Sequence, residues 1–267
     1  MKKLISILTV LFILVGCSST TTNKVIKIGV VGDDKILWEP AKQQLLKEGI
    51  EIEIIEFADY SQPNRQLNDK QIDLNAFQHK AYLAKEIEEH KYNLSILGDT
   101  IASPLGLFSK KYKNINEFKT NDTIVIPNDA TNSGRALKVL EAAKLLSVDA
   151  SKGYLPTIKD ITSNPLNLKI IELDASQTAL QLDDPKVAAA IINGGHAVDH
   201  NLSPKNDSIY LETIEVGGNN PYINILVCRK DDINNEDYKK VLDAYQSSNT
   251  AKVLEDNYKG SYIPAWK

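Results

Sequence analysis

The sequence predicts an α/β fold divided into two lobes, and three observations carry that prediction. From Lys24 onward, short apolar runs alternate with longer amphipathic ones, the pattern of strands interleaved with helices. Setting aside an N-terminal segment of 16 residues leaves 251 of the 267, more than one hydrophobic core comfortably serves. Four polar or aromatic stretches lie where a strand ends and a loop or helix begins, which is where open α/β sheets bind ligands.

The chain opens "MKKLISILTVLFILVGCSSTTTN". Two lysines precede a continuous apolar run from Leu4 to Val15, and Cys17 stands at the apolar-to-polar boundary. This is the layout of an export signal, too short for a good membrane span. Leu14-Val15-Gly16-Cys17 resembles the lipobox of bacterial lipoproteins, which implies residues 1–16 as signal peptide, cleavage before Cys17, and lipid on the Cys17 sulfur and new amino terminus. Residues 17–24 then read as a lipidated, flexible tether. Losing Lys2 and Lys3 with no acid moves the formal charge from −4 to −6, so the chain has no basic character to suggest nucleic acid. The second cysteine, Cys228, lies in the apolar run "INILVCR" and is expected to be a buried small hydrophobe without a disulfide partner.

Taken in order, "VIKIGVVG" is a strand ending in a turn, and "ILWEPAKQQLLKEG" a helix closed by Gly49. "IEIEIIEF" is a second strand, followed by a loop and short helix over "ADYSQPNRQLND". "IDLNAFQH" is a short strand that runs into the helix "KAYLAKEIEEHKY". "LSILGDTIA" and "LGLFSKK" are strands, "NINEFKT" a short helix and "TIVIPN" a strand. "SGRALKVLEAAKLLSV" is the strongest helix by propensity. The second half repeats the scheme with strand "LKIIELD", helix "SQTALQLDD", and strands "VAAAIING", "SIYLETIEV" and "YINILVCRK". One or two helices close the chain over "NEDYKKVLDAYQSSNTAKVLEDNY". Gly, Pro and Asn interrupt the apolar pattern near "SPLGLFSKK" and "GGNNPYINIL", marking the crossings between lobes. Lobe I is expected to span 25–107 plus 223–267, and lobe II 108–222.

The candidate binding residues come from the four junctions, "DYSQPN", "NAFQHKAYL", "NDATNSGRAL", and "IINGGHA" with "NPYIN". Arg135 sits on the first turns of its helix, where a positive charge works against the macrodipole, so a ligand or partner rather than helix stability placed it. Its planar fork suits a carboxylate, and Asn132, three residues earlier, faces the same side. The commoner outcome for a lone arginine is a salt bridge to a protein acid. Phe77 and His79 share a face of an extended segment; with Tyr82 and Tyr60 they form either an aromatic box for an apolar or thioether side chain or a packed wall between lobes. Asn193 and Asn224 can offer carbonyl acceptors to an ammonium group, although each alone is more often a turn residue. His79, His90, His196 and His200 show no metal-ligand spacing, and His196 and His200 read as surface residues. Neither a phosphate-binding glycine loop nor a nucleophile motif is present, and no cofactor is expected.

"DYSQPN", "IDLNAFQHKAYL", "IPNDATNSGRAL", "NPLNLKIIELDASQ", "LDD…AAIING" and "NPYINILVCR" resemble, in order and spacing, the NlpA/MetQ family of methionine-binding lipoproteins. The resemblance covers about Lys27 to Tyr245. It implies a two-lobed periplasmic-binding-protein-like fold of type II with the ligand cleft between lobes. Arg135 would hold an amino acid carboxylate, Asn193 and Asn224 its polar backbone with Asn132 nearby, and Tyr60, Phe77, His79 and Tyr82 its side chain. The implied partners are L-methionine, an ABC permease with its ATPase, and the membrane through the lipid anchor on its extracytoplasmic face, the receptor being monomeric. D-methionine, a methionine-containing dipeptide or another apolar amino acid are alternatives, because Leu180 and His196 depart from the family pattern. An extracytoplasmic enzyme using His79 as general base and a surface adhesin are the rivals from other classes.

Overall fold

The computed structural model describes residues 24–32, 35–258 and 261–266. The expected signal segment and Cys17 lie outside the described residues. The strands and helices are, in chain order, β1 (Lys24–Val31), α1 (Lys35–Lys47), β2 (Ile50–Phe57), α2 (Pro63–Asn68), β3 (Leu74–Asn75), α3 (Lys80–His90), β4 (Leu94–Ala102) and β5 (Gly106–Phe108). There follow β6 (Thr123–Pro127), α4 (Ala130–Ala142), β7 (Ser147–Val148), β8 (Ile161–Ser163), β9 (Lys169–Leu173), α5 (Ala175–Thr178), β10 (Val187–Ile192) and α6 (Gly194–Asp199). The last are α7 (Pro204–Asp207), β11 (Ser208–Leu211), β12 (Ile223–Arg229), α8 (Glu236–Tyr245), α9 (Ser248–Tyr258) and β13 (Ile263–Pro264).

These form two principal sheets. One is six-stranded, in the order β13-β4-β12-β3-β1-β2; the other is five-stranded, in the order β11-β5-β10-β6-β9. In the first, β1 runs parallel to β2 and β3, while β12 pairs antiparallel with β3 and β4. In the second, β6 lies parallel to β9 and β10, and β5 is antiparallel to β10 and β11. The chain passes between sheets at Ser103–Leu105 and returns through Glu212–Tyr222.

Strand periodicity explains why each sheet is covered on both faces. Ile124 and Ile126 of β6 join the cluster under α4, with Leu137 and Leu140, while Val125 between them faces the opposite cluster with Leu182 and Ile192. On the first sheet Ile26, Ile28 and Val30 meet Trp38, Leu45, Val241 and Leu254 from α1, α8 and α9. The other face of that sheet packs Leu67 and Leu83 against Ile225 and Val227. Burying each such side chain contributes about 1.5–3 kcal/mol, so each lobe has a core of its own.

Several boundaries differ from the sequence reading. The helix expected from Ser133 begins three residues earlier, because Asp129 caps it by accepting the Asn132 N–H at 2.9 Å. It ends at Ala142 rather than running to Val148, since Lys144 turns left-handed (φ 62°). "NINEFKT" yields only a 3₁₀ turn at Ile115–Glu117, and "SIYLETIEV" is strand only to Leu211. Cys228 is fully buried and unpaired, and burial raises its thiol pKa to about 11.

Candidate functional site

The first wall of the cleft is built where β3 stops after two residues. From Ala76 to His79 the chain crosses the end of the sheet, donating from the Ala76 N–H to Gly29 O (2.9 Å) and accepting the Ile225 N–H at Gln78 O (3.0 Å). Beneath it lies a buried amide network. Gln78 Nε2 donates to Asn75 Oδ1 (2.9 Å), Asn75 Nδ2 to Asn64 Oδ1 (3.0 Å) and Asn64 Nδ2 to Gln78 Oε1 (2.8 Å). Satisfied in this way, three amides that would otherwise be costly to bury fix the segment that carries Phe77 and His79. The rings of Tyr60, Phe77 and Tyr82 form a triangle, with centroids 5.8–5.9 Å apart in tilted and edge-on arrangements.

His79 caps α3. Its Nδ1 accepts the Tyr82 N–H at 3.0 Å, so the ring proton is on Nε2, which donates to Asn132 Oδ1 at 3.3 Å across the cleft. Burial, with the Arg135 charge adding to it, lowers the His79 pKa to about 3, and the ring is neutral at physiological pH. Burial likewise pushes the Tyr82 phenol far above its ordinary range.

The second wall is the start of α4 and the end of β10. Asp129 accepts from Asn132 Nδ2 (2.9 Å) as well as from its backbone, which turns Asn132 Oδ1 toward His79 and toward Asn193 Nδ2, also 2.9 Å away. Asn193 Oδ1 is buried and has no hydrogen-bond partner among the described residues. The chain then starts α6 at Gly194, where a Cβ would collide with Ser103 Oγ on the crossing segment. Glycine lets the two segments approach without turning the Ser103 side chain aside.

Arg135 is 2% exposed. Its Nε donates to Glu212 Oε1 at 2.8 Å, and its Nη2 donates to Glu212 Oε2 at 2.5 Å and to Ser103 O at 2.9 Å. The guanidinium lies 4.5 Å from the Tyr222 ring centroid, a cation–π contact. Glu212 accepts the Leu105 N–H too, at 2.8 Å. The arginine thus makes the salt bridge that a lone arginine commonly makes, and it still lines the cleft; its Nη1 has no protein partner among the described residues.

All eight residues singled out from sequence, Tyr60, Phe77, His79, Tyr82, Asn132, Arg135, Asn193 and Asn224, line this one cleft, which with its open mouth holds about 780 Å³ of space. Other lining residues were not foreseen, among them Trp38, Ser103 and Tyr262. The surface placement expected for His196 is wrong. The turn into α6 tucks it to 5% exposure, its ring 5.0 Å from Tyr60, and burial lowers its pKa. His200 is exposed, as expected. Leu180, the other departure from the family pattern, is 49% exposed and outside the cleft.

Two α/β lobes, joined by two crossing segments with a polar and aromatic cleft where they meet, define a two-lobed periplasmic-binding fold. Within that class, the chain belongs to the NlpA lipoprotein family, whose model matches residues 26–266. It is 40% identical to Lipoprotein 28 of Escherichia coli K12 and 37% identical to the D-methionine-binding lipoprotein MetQ of the same strain. Each comparison covers 95% of this chain and 93% of the relative. It also superimposes on a nutrient binding protein from Burkholderia cenocepacia bound to methionine, with 36% identity and a TM-score of 0.85, over 90% of this chain and 100% of the other. Members of this lipoprotein family are membrane-anchored and extracytoplasmic.

Proposed function

We propose that this protein binds methionine between its lobes and delivers it to an ABC permease and its cytoplasmic ATPase. One observation carries the reading: among the described residues Arg135 is the single charged residue lining the cleft, and it is on one wall while the Tyr60–Phe77–Tyr82 triangle is on the other. An amino acid with an apolar thioether side chain has the matching polarity. Arg135 holds the carboxylate through Nη1, the unpartnered Asn193 Oδ1 accepts from the ammonium with Asn224 beside it, and Asn132 ties the two walls through His79. The aromatic triangle takes the side chain. The names of the relatives support this ligand class, and L-methionine is the form proposed, with D-methionine, a methionine-containing dipeptide or another apolar amino acid as alternatives.

Closure of the lobes on the ligand and recognition of the closed form by the permease complete the mechanism. The receptor is monomeric and tethered by lipid on Cys17. Catalysis through His79 finds no support in its hydrogen bonds, since Nδ1 already accepts from Tyr82 and Nε2 carries the proton, leaving no lone pair for a general base. Native mass spectrometry of the purified protein, with release and identification of the bound molecule, tests the proposal. Unchanged methionine at one per chain is expected; a chemically altered product, or no amino acid at all, would overturn it.

A further inference from the structure

Among the described residues the cleft lining contains one formal charge, Arg135, and the protein balances that charge from behind. Arg135 lines the cleft, whereas Glu212 does not, although its carboxylate grips the Nε and Nη2 edge of the same guanidinium. Both partners are withdrawn from solvent, with side-chain exposures of 2% and 12%. The two histidines of the lining are held neutral by burial. Before a ligand arrives, the Arg135–Glu212 pair at the carboxylate end of the cleft therefore carries no net charge. A buried charge is costly unless balanced, so whatever enters should be neutral overall.

We infer that Glu212 is a specificity-determining residue: by neutralising Arg135 it makes the cleft select a zwitterion over a monoanion with the same carboxylate and side chain. An amino acid brings its own ammonium and keeps the site balanced. The corresponding hydroxy acid has the same carboxylate for Arg135 but leaves one negative charge uncompensated. Were Glu212 absent, the bare guanidinium would favour the anion. The sequence separation of 77 residues hides the pairing, and the second crossing segment brings it about. This inference rests on the carboxylate reading of Arg135 given above.

Calorimetric titration with L-methionine and with 2-hydroxy-4-(methylthio)butanoate tests it, because both compounds present the same carboxylate and thioether. Any general damage to Arg135 positioning or to the fold affects the two alike, so their affinity ratio isolates the charge balance. Glu212→Gln is expected to shift the ratio about tenfold toward the hydroxy acid, and Glu212→Asp, which keeps the charge, to leave it near the wild-type value. Arg135→Gln, which leaves Glu212 unbalanced, should move the ratio the opposite way, and the double variant Arg135→Gln/Glu212→Gln should return it toward wild type at weaker affinity. If Glu212→Gln does not fold, the comparison of Arg135→Gln with the double variant decides. A ratio unchanged by Glu212→Gln, or shifted equally by Glu212→Asp, would overturn the inference alone. Wild-type protein that binds neither compound would overturn the methionine reading and the inference with it.

Discussion

The two walls of the cleft solve different problems with different materials. The wall from the first sheet is aromatic and is held from below by neutral amides, Asn64, Asn75 and Gln78, none more than 3% exposed. The wall from the second sheet is polar and is held by charge, through Asp129 on Asn132 and Glu212 on Arg135. An aromatic surface needs only to be placed, which a satisfied amide network does at no electrostatic cost. A cation offered to a ligand must be kept both buried and oriented, which requires a carboxylate partner. The supporting residues differ in kind because the groups they support differ in kind. Between the walls runs a neutral hydrogen bond, His79 to Asn132, at 3.3 Å, beside the ring contact of Tyr60 with His196 at 5.0 Å.

The largest expected effect lies on the charged wall. Arg135→Ala removes the carboxylate contact and strands Glu212, so methionine affinity should fall at least ~100-fold by calorimetry and stability by about 3–5 kcal/mol in urea unfolding. On the aromatic wall, Phe77→Ala should weaken methionine by ~10- to 30-fold while leaving the unfolding midpoint much closer to wild type, because the half-buried ring packs on the cleft rather than in a core. If the two substitutions cost equal stability, the contrast between the walls is lost.

The bridge between the walls predicts a pH effect with a definite sign. His79 is neutral in the fold with a pKa of about 3, against an ordinary value of 6.5. Between those values the unfolded chain binds a proton that the native chain does not. Stability is therefore complete above pH 6.5 and falls as the pH drops, by about 1.4 kcal/mol per unit from this group alone. Denaturant titrations from pH 7.5 to 5 should show that slope, reduced by about one proton in His79→Gln; an unchanged slope in the variant would contradict the buried neutral ring. The smallest effect belongs to Leu180→Ala, at an exposed site away from both walls, which should change methionine affinity less than twofold and stability by no more than about 0.5 kcal/mol.

What was legible in the sequence follows the range of the interactions. Strands such as β6 and β10 show their alternation locally, and Arg135 stands out because its charge opposes the helix around it. The aromatic triangle was visible since three of its four associated residues, Phe77, His79 and Tyr82, come from one short stretch. Glu212 gave no sign. It follows β11 in a run that reads as continued strand, and only the return of the chain between sheets brings it to Arg135. The helix α6 was missed for a local reason, since it opens with two glycines of poor helix propensity, the first kept for its approach to Ser103. His196 was misplaced on the surface as a consequence.

The proposed binding mode gives one wall the carboxylate and the other the apolar side chain. A crystal structure of the protein with L-methionine tests it most directly. The carboxylate is expected within hydrogen-bond distance of Arg135 Nη1, with Glu212 still on the opposite edge of the guanidinium and the thioether among Tyr60, Phe77 and Tyr82. A ligand lying in the reverse orientation, or one whose carboxylate displaces Glu212 from Arg135, would contradict it.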